Sequence, residues 1–461
     1  MDSSEVSYAG MPERNHSRHL ANMRKTVKIG YFEIPLFIAN LMFAFVAVAG
    51  QVGQNVTLPL WVDSTNGNTS GPTVDSYFVL SFASLSFVVI FGVGTLITRL
   101  VSPGAIGETE KRFPHRLMFL VGLFDALNGV LVVFASKGSR TPPYLQAILG
   151  NFMIPLTIIF RFLILKKKPT LLKLCCGIVV VVSLFVCLIP RIFPRVDPRA
   201  LKVKNDTDGI SRVMWPIIFM LGFIPAAIMN VLEERGLKME NKTSRKGINL
   251  VFFLFWTSTY QFLCVAFLFW ADILPWYGNV ANIKEFGRNW WYGFQCFFGG
   301  AGCSATSGVR GTMFILMYVL SYVGSANLLR HAEGATWLAF VVSHQYLVYE
   351  LFICLQSLVT PLGFLFWTLF SESPFKWHPR ADVKTWFSIG ALAIMVPAIF
   401  IYNWGAPEVT LSNENDGSGD FVYSDSGDGY DSRSSSSKDP LLIHPSQTSN
   451  SVLHEDPPFT R

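Results

Sequence analysis

Tyr144–Pro190 reads YLQAILGNFMIPLTIIFRFLILKKKPTLLKLCCGIVVVVSLFVCLIP. Two apolar stretches flank the basic turn Lys166-Lys167-Lys168-Pro169. Each is close to the roughly 20 residues that a helix needs to cross about 30 Å of hydrocarbon. The segment is therefore two membrane crossings joined by a short polar turn. The same pattern repeats on both sides, giving expected spans at 32–53, 77–98, 117–136, 144–165, 171–190, 213–232, 250–271, 312–330, 335–370 and 383–404. The fold class is an all-α polytopic membrane protein of about ten helices.

Composition agrees. Of 461 residues 51% are hydrophobic and 15% charged, against about 25% charged in an ordinary soluble protein. The net charge of +6 is concentrated in loops and tails. It reads as membrane topology, with lipid as the surrounding partner and no nucleic acid. Residues 1–30 are polar and carry no cleavable signal pattern, so the first span is expected to insert the chain. Trp61, Trp270, Trp276 and Trp290-Trp291-Tyr292 stand at span edges, where amphipathic rings settle among headgroups. Cys175, Cys176, Cys187, Cys264 and Cys354 read as small buried hydrophobes, and the seven cysteines match no metal pattern.

The ninth span is too long. At about 1.5 Å per residue it would reach about 54 Å. Residues 344–357 read either as a real helical extension broken at Pro361 or as a retained intron, and His344 and Glu350 carry no mechanism here.

Arg14, Arg18, Arg24, Lys25 and Lys28 precede the first span, and the loop 54–76 has no Lys or Arg. The positive-inside rule puts the N-terminus in the cytosol, and an even span count puts the C-terminus there too. The loop 191–212 disagrees, with six Lys/Arg on the lumenal side. The sequons at Asn68 and Asn205 fall in lumenal loops and are expected glycosylation sites, whereas Asn241 would be cytosolic and unmodified. The expected organisation is a cytosolic tail 1–30, a first five-helix half 31–190, a lumenal loop 191–212, a second half 213–406 with a lumenal loop 272–311, and a disordered cytosolic tail 407–461. Tyr8 and the pair Leu441-Leu442 resemble sorting signals, which implies sorting adaptors as partners and an endosomal or lysosomal membrane.

Polar groups in hydrocarbon face a bundle interior or a wet cavity. The candidates for solute binding are Gln51, Asp125, Gln146, Asn151, Asn230 and Glu234, with Pro155 and Pro225 as helix bends. Asn40 shares a face with Gln51, and Asn230 shares a stripe with Glu234. Each has a plainer reading: Asp125 as a bond to a neighbouring helix, Glu234 as a surface pair with Arg235, Gln51 as a headgroup contact, the prolines as packing kinks. Arg161 is expected to snorkel to the headgroups. There is no GxxxxGK[ST] and no HExxH, which counts against an ATP-driven pump or a membrane protease. No catalytic residue, cofactor or metal is expected.

Three stretches resemble the chloroquine-resistance-transporter-like family of the drug/metabolite transporter superfamily. They are Leu123-Phe124-Asp125-Ala126 with Tyr144-Leu145-Gln146-Ala147, Met153-Ile154-Pro155 and Phe162-Leu163-Ile164-Leu165; Ile224-Pro225-Ala226-Ala227 with Asn230, Glu234 and Lys238; and Gly293-Phe294-Gln295-Cys296. The resemblance spans the third to the eighth crossing. It implies two inverted five-helix halves around a central cavity, alternating access, and both termini in the cytosol. It implies that Gln51 falls at the cavity end of the first helix, and that Asp125, Gln146, Asn230 and Glu234 line or brace the cavity. The family's lumenal loop is disulfide-bonded, which here leaves Cys296 with Cys303. The implied function is export of a small-molecule solute (amino acids, short peptides, thiols or weak bases) from an acidic compartment. Glu234 or Asp125 would then bind a coupling proton. The alternatives are a Golgi nucleotide-sugar translocator, which would need cavity cations that are nearly absent, and a non-transporting receptor or scaffold.

Overall fold

The computed structural model describes residues 26–29, 32–64, 76–137, 139–193, 196, 209–241, 247–300, 303, 306–331, 359–371, 376–379, 382–404, 409–410 and 421–423. Their main elements are helices: α1 (Leu36–Ser64), α2 (Ser76–Val101), α3 (His115–Ala135), α4 (Pro143–Leu149), α5 (Met153–Leu165), α6 (Leu171–Ile192), α7 (Gly209–Leu221), α8 (Phe223–Leu237), α9 (Leu250–Phe267), α10 (Ile283–Phe297), α11 (Thr306–His331), α12 (Val359–Leu369) and α13 (Val383–Trp404). Two pairs are single crossings with a break: α4 and α5 across the 3₁₀ turn Gly150–Phe152, and α7 and α8 across Gly222. Nine helical stretches among the described residues are long and apolar enough to span a membrane, and α12 is a shorter apolar helix. The protein is an all-α multi-pass membrane protein.

Two expected boundaries move. The first helix runs to Ser64, eleven residues past the expected end at 53. Thr57 within it donates its hydroxyl to the Gly53 carbonyl (2.7 Å), so that polar group bonds its own helix and does not end it. The eighth crossing opens at Thr306, ahead of 312. Most of the expected ninth span, including His344, Glu350 and Cys354, lies outside the described residues. Its described part, α12, carries Pro361 at the third position, as α5 carries Pro155 and α8 carries Pro225. In a first turn the missing N–H costs no helical bond.

Numbering the crossings one to ten in chain order, the main packing pairs are 1 with 8, 3 with 6, 2 with 7, 3 with 7, 5 with 10, 4 with 6, 1 with 9, and 4 with 9. Exchanging each crossing n for n+5 maps all of these except 3 with 7 onto the same set. Five crossings separate the exchanged members, so the two halves run in opposite directions through the bilayer. Glycines allow the closest approaches. A Cβ at Gly122 of α3 would lie 2.6 Å from the Gln261 nitrogen of α9. One at Gly324 of α11 would lie 2.7 Å from the Ala47 nitrogen of α1. The small-residue step at Gly122 is thus a contact within one chain.

Short antiparallel strand pairs tie the loops on the basic side. Val409–Thr410 pairs with Lys167–Lys168, and Phe421–Tyr423 pairs with Met239–Asn241. The tail expected to be wholly unstructured therefore supplies two strands. Pairing of Val409 with Lys168 places the start of the C-terminal tail on the same side of the bundle as the basic turn. Apolar packing forms two clusters. One, around Phe78, Phe134 and Phe253, joins α2, α3, α9 and α11. The other, around Leu184, Trp215 and Met395, joins α4, α6, α7 and α13. Cys176 and Cys187 are buried as expected of small hydrophobes, while Cys175 is exposed on α6, a correction to its expected burial.

Candidate functional site

Helices of both halves meet at the buried Asp125, and a second buried acid, Glu233, lies on a neighbouring crossing. Asp125, on α3, is 4% exposed. Its two carboxylate oxygens each accept from the Tyr318 hydroxyl of α11 at 3.4 Å, and Asn128, one turn on, bonds it as well. Glu233, on α8, is 2% exposed, and its Oε1 has no hydrogen-bond partner. Helix α8, which carries it, packs against both α3 and α11. Tyr322 is in hydrogen-bond contact with Thr257 of α9. Aromatic rings of α2 close one wall: Phe87 stacks on Tyr318 (4.3 Å between centroids) and Phe91 meets Tyr322 edge-on. No Lys or Arg among the described residues pairs with either acid. Asn128 Oδ1 is a second buried acceptor without a partner.

The next residue along α8 has the opposite surroundings. Glu234 Oε1 lies 3.0 Å from Arg161 Nη2, 3.0 Å from Lys238 Nζ and 3.6 Å from Lys167 Nζ. Arg161 therefore turns inward to Glu234 and does not snorkel, and Glu234 is not a surface partner of Arg235. Successive residues of a helix differ by about 100° in direction, so the two glutamates leave α8 towards different neighbours. The cations hold together the end of α5, the basic turn after it and the end of α8.

The remaining candidates separate into helix-to-helix ties and turn braces. Gln51 of α1 is exposed, and its Oε1 accepts from Ser321 Oγ of α11 at 3.1 Å. Asn151, in the 3₁₀ break, donates to Thr360 Oγ1 of α12 (2.7 Å) and accepts from the same hydroxyl (3.0 Å). Asn230 Nδ2 reaches Met153 Sδ of α5 at 3.9 Å. Gln146 is buried and donates to the Ser136 and Thr141 carbonyls at 2.6 Å, which braces the turn before α4. Pro155 and Pro225 follow the two helix breaks. Cys296 and Cys303 are joined as a disulfide beneath α10. Tyr8, Asn68, Asn205, Leu441 and Leu442, and the side chain of Asn40, lie outside the described residues.

On the side opposite the basic turn, Arg140 closes the loop ends. It donates to the carbonyls of Phe134 (2.7 Å) and Tyr277 (3.2 Å) and to Asn279 Oδ1 (3.2 Å), and lies 3.8 Å over the Trp215 ring. Burial lowers its guanidinium to about 10, so it stays charged at neutral pH, while burial pushes the Tyr277 phenol up. Arg191 donates to the carbonyls of Arg140 and Arg212. One of the six basic residues of loop 191–212, Arg191, is thus used internally, which explains part of its departure from the positive-inside pattern. Sequence reasoning passed over Arg140, Glu233, Tyr318 and Tyr322. The one available signal was two consecutive acids near the end of an apolar helix.

The sequence profile of the CRT-like, chloroquine-resistance transporter-like, family matches residues 73–312, just over half of the chain. The chain belongs to the chloroquine-resistance transporter-like family. The match opens ahead of α2, earlier than the third crossing where the resemblance began, and ends within α11. It includes Asp125, Arg140, Glu233 and Glu234, and excludes Gln51, Tyr318, Tyr322 and Thr360. Among curated relatives, Crt homolog 1 of Dictyostelium discoideum is 25% identical over 45% of this chain and 40% of its own length. Crt homolog 3 of the same organism is 24% identical over 45% of this chain and 39% of its own length. The matched part spans about two fifths of these relatives.

Proposed function

We propose that this chain is a secondary-active carrier that moves small organic solutes from an acidic endolysosomal lumen to the cytosol, coupled to protons, by alternating access. One observation carries the reading. The buried Asp125 and Tyr318 meet where α3 of the first half faces α11 of the second, midway along both helices. In carriers built from inverted repeats, that is where the solute and its coupling ion bind while one half rocks against the other. The basic turn Lys166–Lys168 faces the cytosol and Arg140 faces the lumen by the positive-inside rule. The buried acidic charge favours cationic or zwitterionic solutes (amino acids, short peptides, weak bases) over the phosphorylated cargo of a nucleotide-sugar translocator.

The test is uptake into proteoliposomes holding the purified protein under an imposed pH gradient. The panel is a cationic weak base, a basic amino acid, short peptides, glutathione and a nucleotide sugar. Saturable, gradient-dependent flux of one class is expected. No flux from protein that melts cooperatively would favour the receptor or scaffold reading. Glycan at Asn68 or Asn205, and none at Asn241, is the expected topology; modification of Asn241 would reverse it.

A further inference from the structure

We propose that the C-terminal tail is a releasable clamp on the Glu234 cluster. Its two strands fix the backbones that present Lys167 and Lys238 to Glu234, and so hold the basic ends of the two halves together. Its effect on flux rests on the alternating-access reading; the clamp itself does not.

Glu234 belongs to α8 of the second half. From the first half it is reached by Arg161 Nη2 of α5 (3.0 Å) and Lys167 Nζ of the basic turn (3.6 Å), and from its own helix by Lys238 Nζ (3.0 Å). Arg161 and Lys167 therefore join the halves, at ends that must part when a carrier of inverted repeats opens on that side. The tail grips the same segments. Lys167 pairs with Thr410 and Lys168 with Val409. Met239, the residue after Lys238, pairs with Tyr423, and the ladder continues through Glu240 with Val422 and Asn241 with Phe421. One tail strand thus lies on a lysine-bearing segment of each half, and both lysines reach one oxygen. Lys167 is 4% exposed and Met239 5%, so each strand is laid on a segment already anchored in the bundle. A lysine has a flexible four-carbon stem and loses much rotamer freedom when held. A fixed backbone lowers that cost by aiming the stem. Charge favours the same docking. Between Trp404 and Arg433 the tail has Glu408, Glu414, Asp416 and Asp420 around its strands and no Lys or Arg, and the segments it pairs with carry Lys166, Lys167, Lys168 and Lys238. Two-stranded ladders this short are marginal alone, so the clamp can release without unfolding a crossing.

Paired cysteines in the full-length protein in lipid vesicles read the clamp without any solute. Lys168→Cys with Val409→Cys, and Glu240→Cys with Val422→Cys, are expected to form disulfides on mild oxidation, detected by mass spectrometry of the joined peptides. The exchanged combinations, Lys168→Cys with Val422→Cys and Glu240→Cys with Val409→Cys, should not. Equal linking in both sets, or none in either, overturns the clamp. Val409→Pro with Val422→Pro removes an N–H from each strand. It should raise amide hydrogen exchange at the ends of α5 and α8 by about fivefold, the worth of one net backbone hydrogen bond. Unchanged exchange there overturns the positioning of the lysines. In proteoliposomes the proline variant is expected to carry solute faster by a similar factor. Cross-linking both ladders should slow flux relative to oxidised wild type, with recovery on reduction. Flux indifferent to both changes overturns the regulatory role. Register-specific links and faster exchange, with no flux of any solute, would support the clamp and reject the carrier reading.

Discussion

Glu233 and Glu234 share a helix, a side-chain chemistry and a depth of burial, yet they live in opposite electrostatic worlds. Glu234 lies among three cations from α5, the basic turn and α8 itself. Glu233 is as deeply buried, pairs with no Lys or Arg among the described residues, and leaves an oxygen unpartnered. The first arrangement is complete without any ligand and fixes the ends of two crossings. The second leaves a buried acceptor unsatisfied. One residue of helical phase thus divides a structural ion cluster from a candidate site.

The largest effect that could break this contrast is on the cluster. Glu234→Ala leaves buried cations uncompensated and is expected to cost about 3–5 kcal/mol, read as a fall in melting temperature of the purified protein. Arg140→Ala, which removes three hydrogen bonds and the contact on Trp215, is expected to cost about 2–3 kcal/mol. Arg140→Lys should recover little of that, because an ammonium cannot reproduce the fork. Gly122→Val forces α3 away from the α9 backbone and should cost about 1–3 kcal/mol in the same assay. Glu233→Gln is expected to change stability by less than about 1 kcal/mol, or to stabilise, because it replaces an unpaired acid with a neutral group of the same shape. A loss as large as that of Glu234→Ala would erase the distinction drawn here. Glu108→Gln should leave melting at neutral pH unchanged. Its bond to Lys111 lowers the Glu108 carboxyl, so any contribution is present at neutral pH and is lost only as pH falls through the carboxylate range.

Apolar length made the crossings legible, and the basic turn at Lys166–Lys168 made their joints legible. Asp125 and Asn151 stood out because polar groups in such segments need partners. The partners themselves were not legible. Tyr318 lies 193 residues from Asp125, and Ser321 lies 270 from Gln51. No local pattern pairs them; only the inverted packing of α11 on α1 and α2 brings them in. Glu233 was hidden by its neighbour. Asn230 and Glu234 fit a helical stripe, and so does Asn230 with Glu233, three residues on, and the stripe does not say which one meets the cations. Arg161 was read as a headgroup charge and Arg140 was passed over, because a sequence shows a charge without showing which carbonyls or carboxylates surround it.

The mutual hydrogen bonds between Asn151 and Thr360 join the fourth crossing to the ninth, a pair that the exchange of halves maps onto itself. Each side chain both gives and takes there, so neither can turn away without stranding its partner inside the bundle. The two halves are thus bolted together at one level by a clasp that closes from both sides.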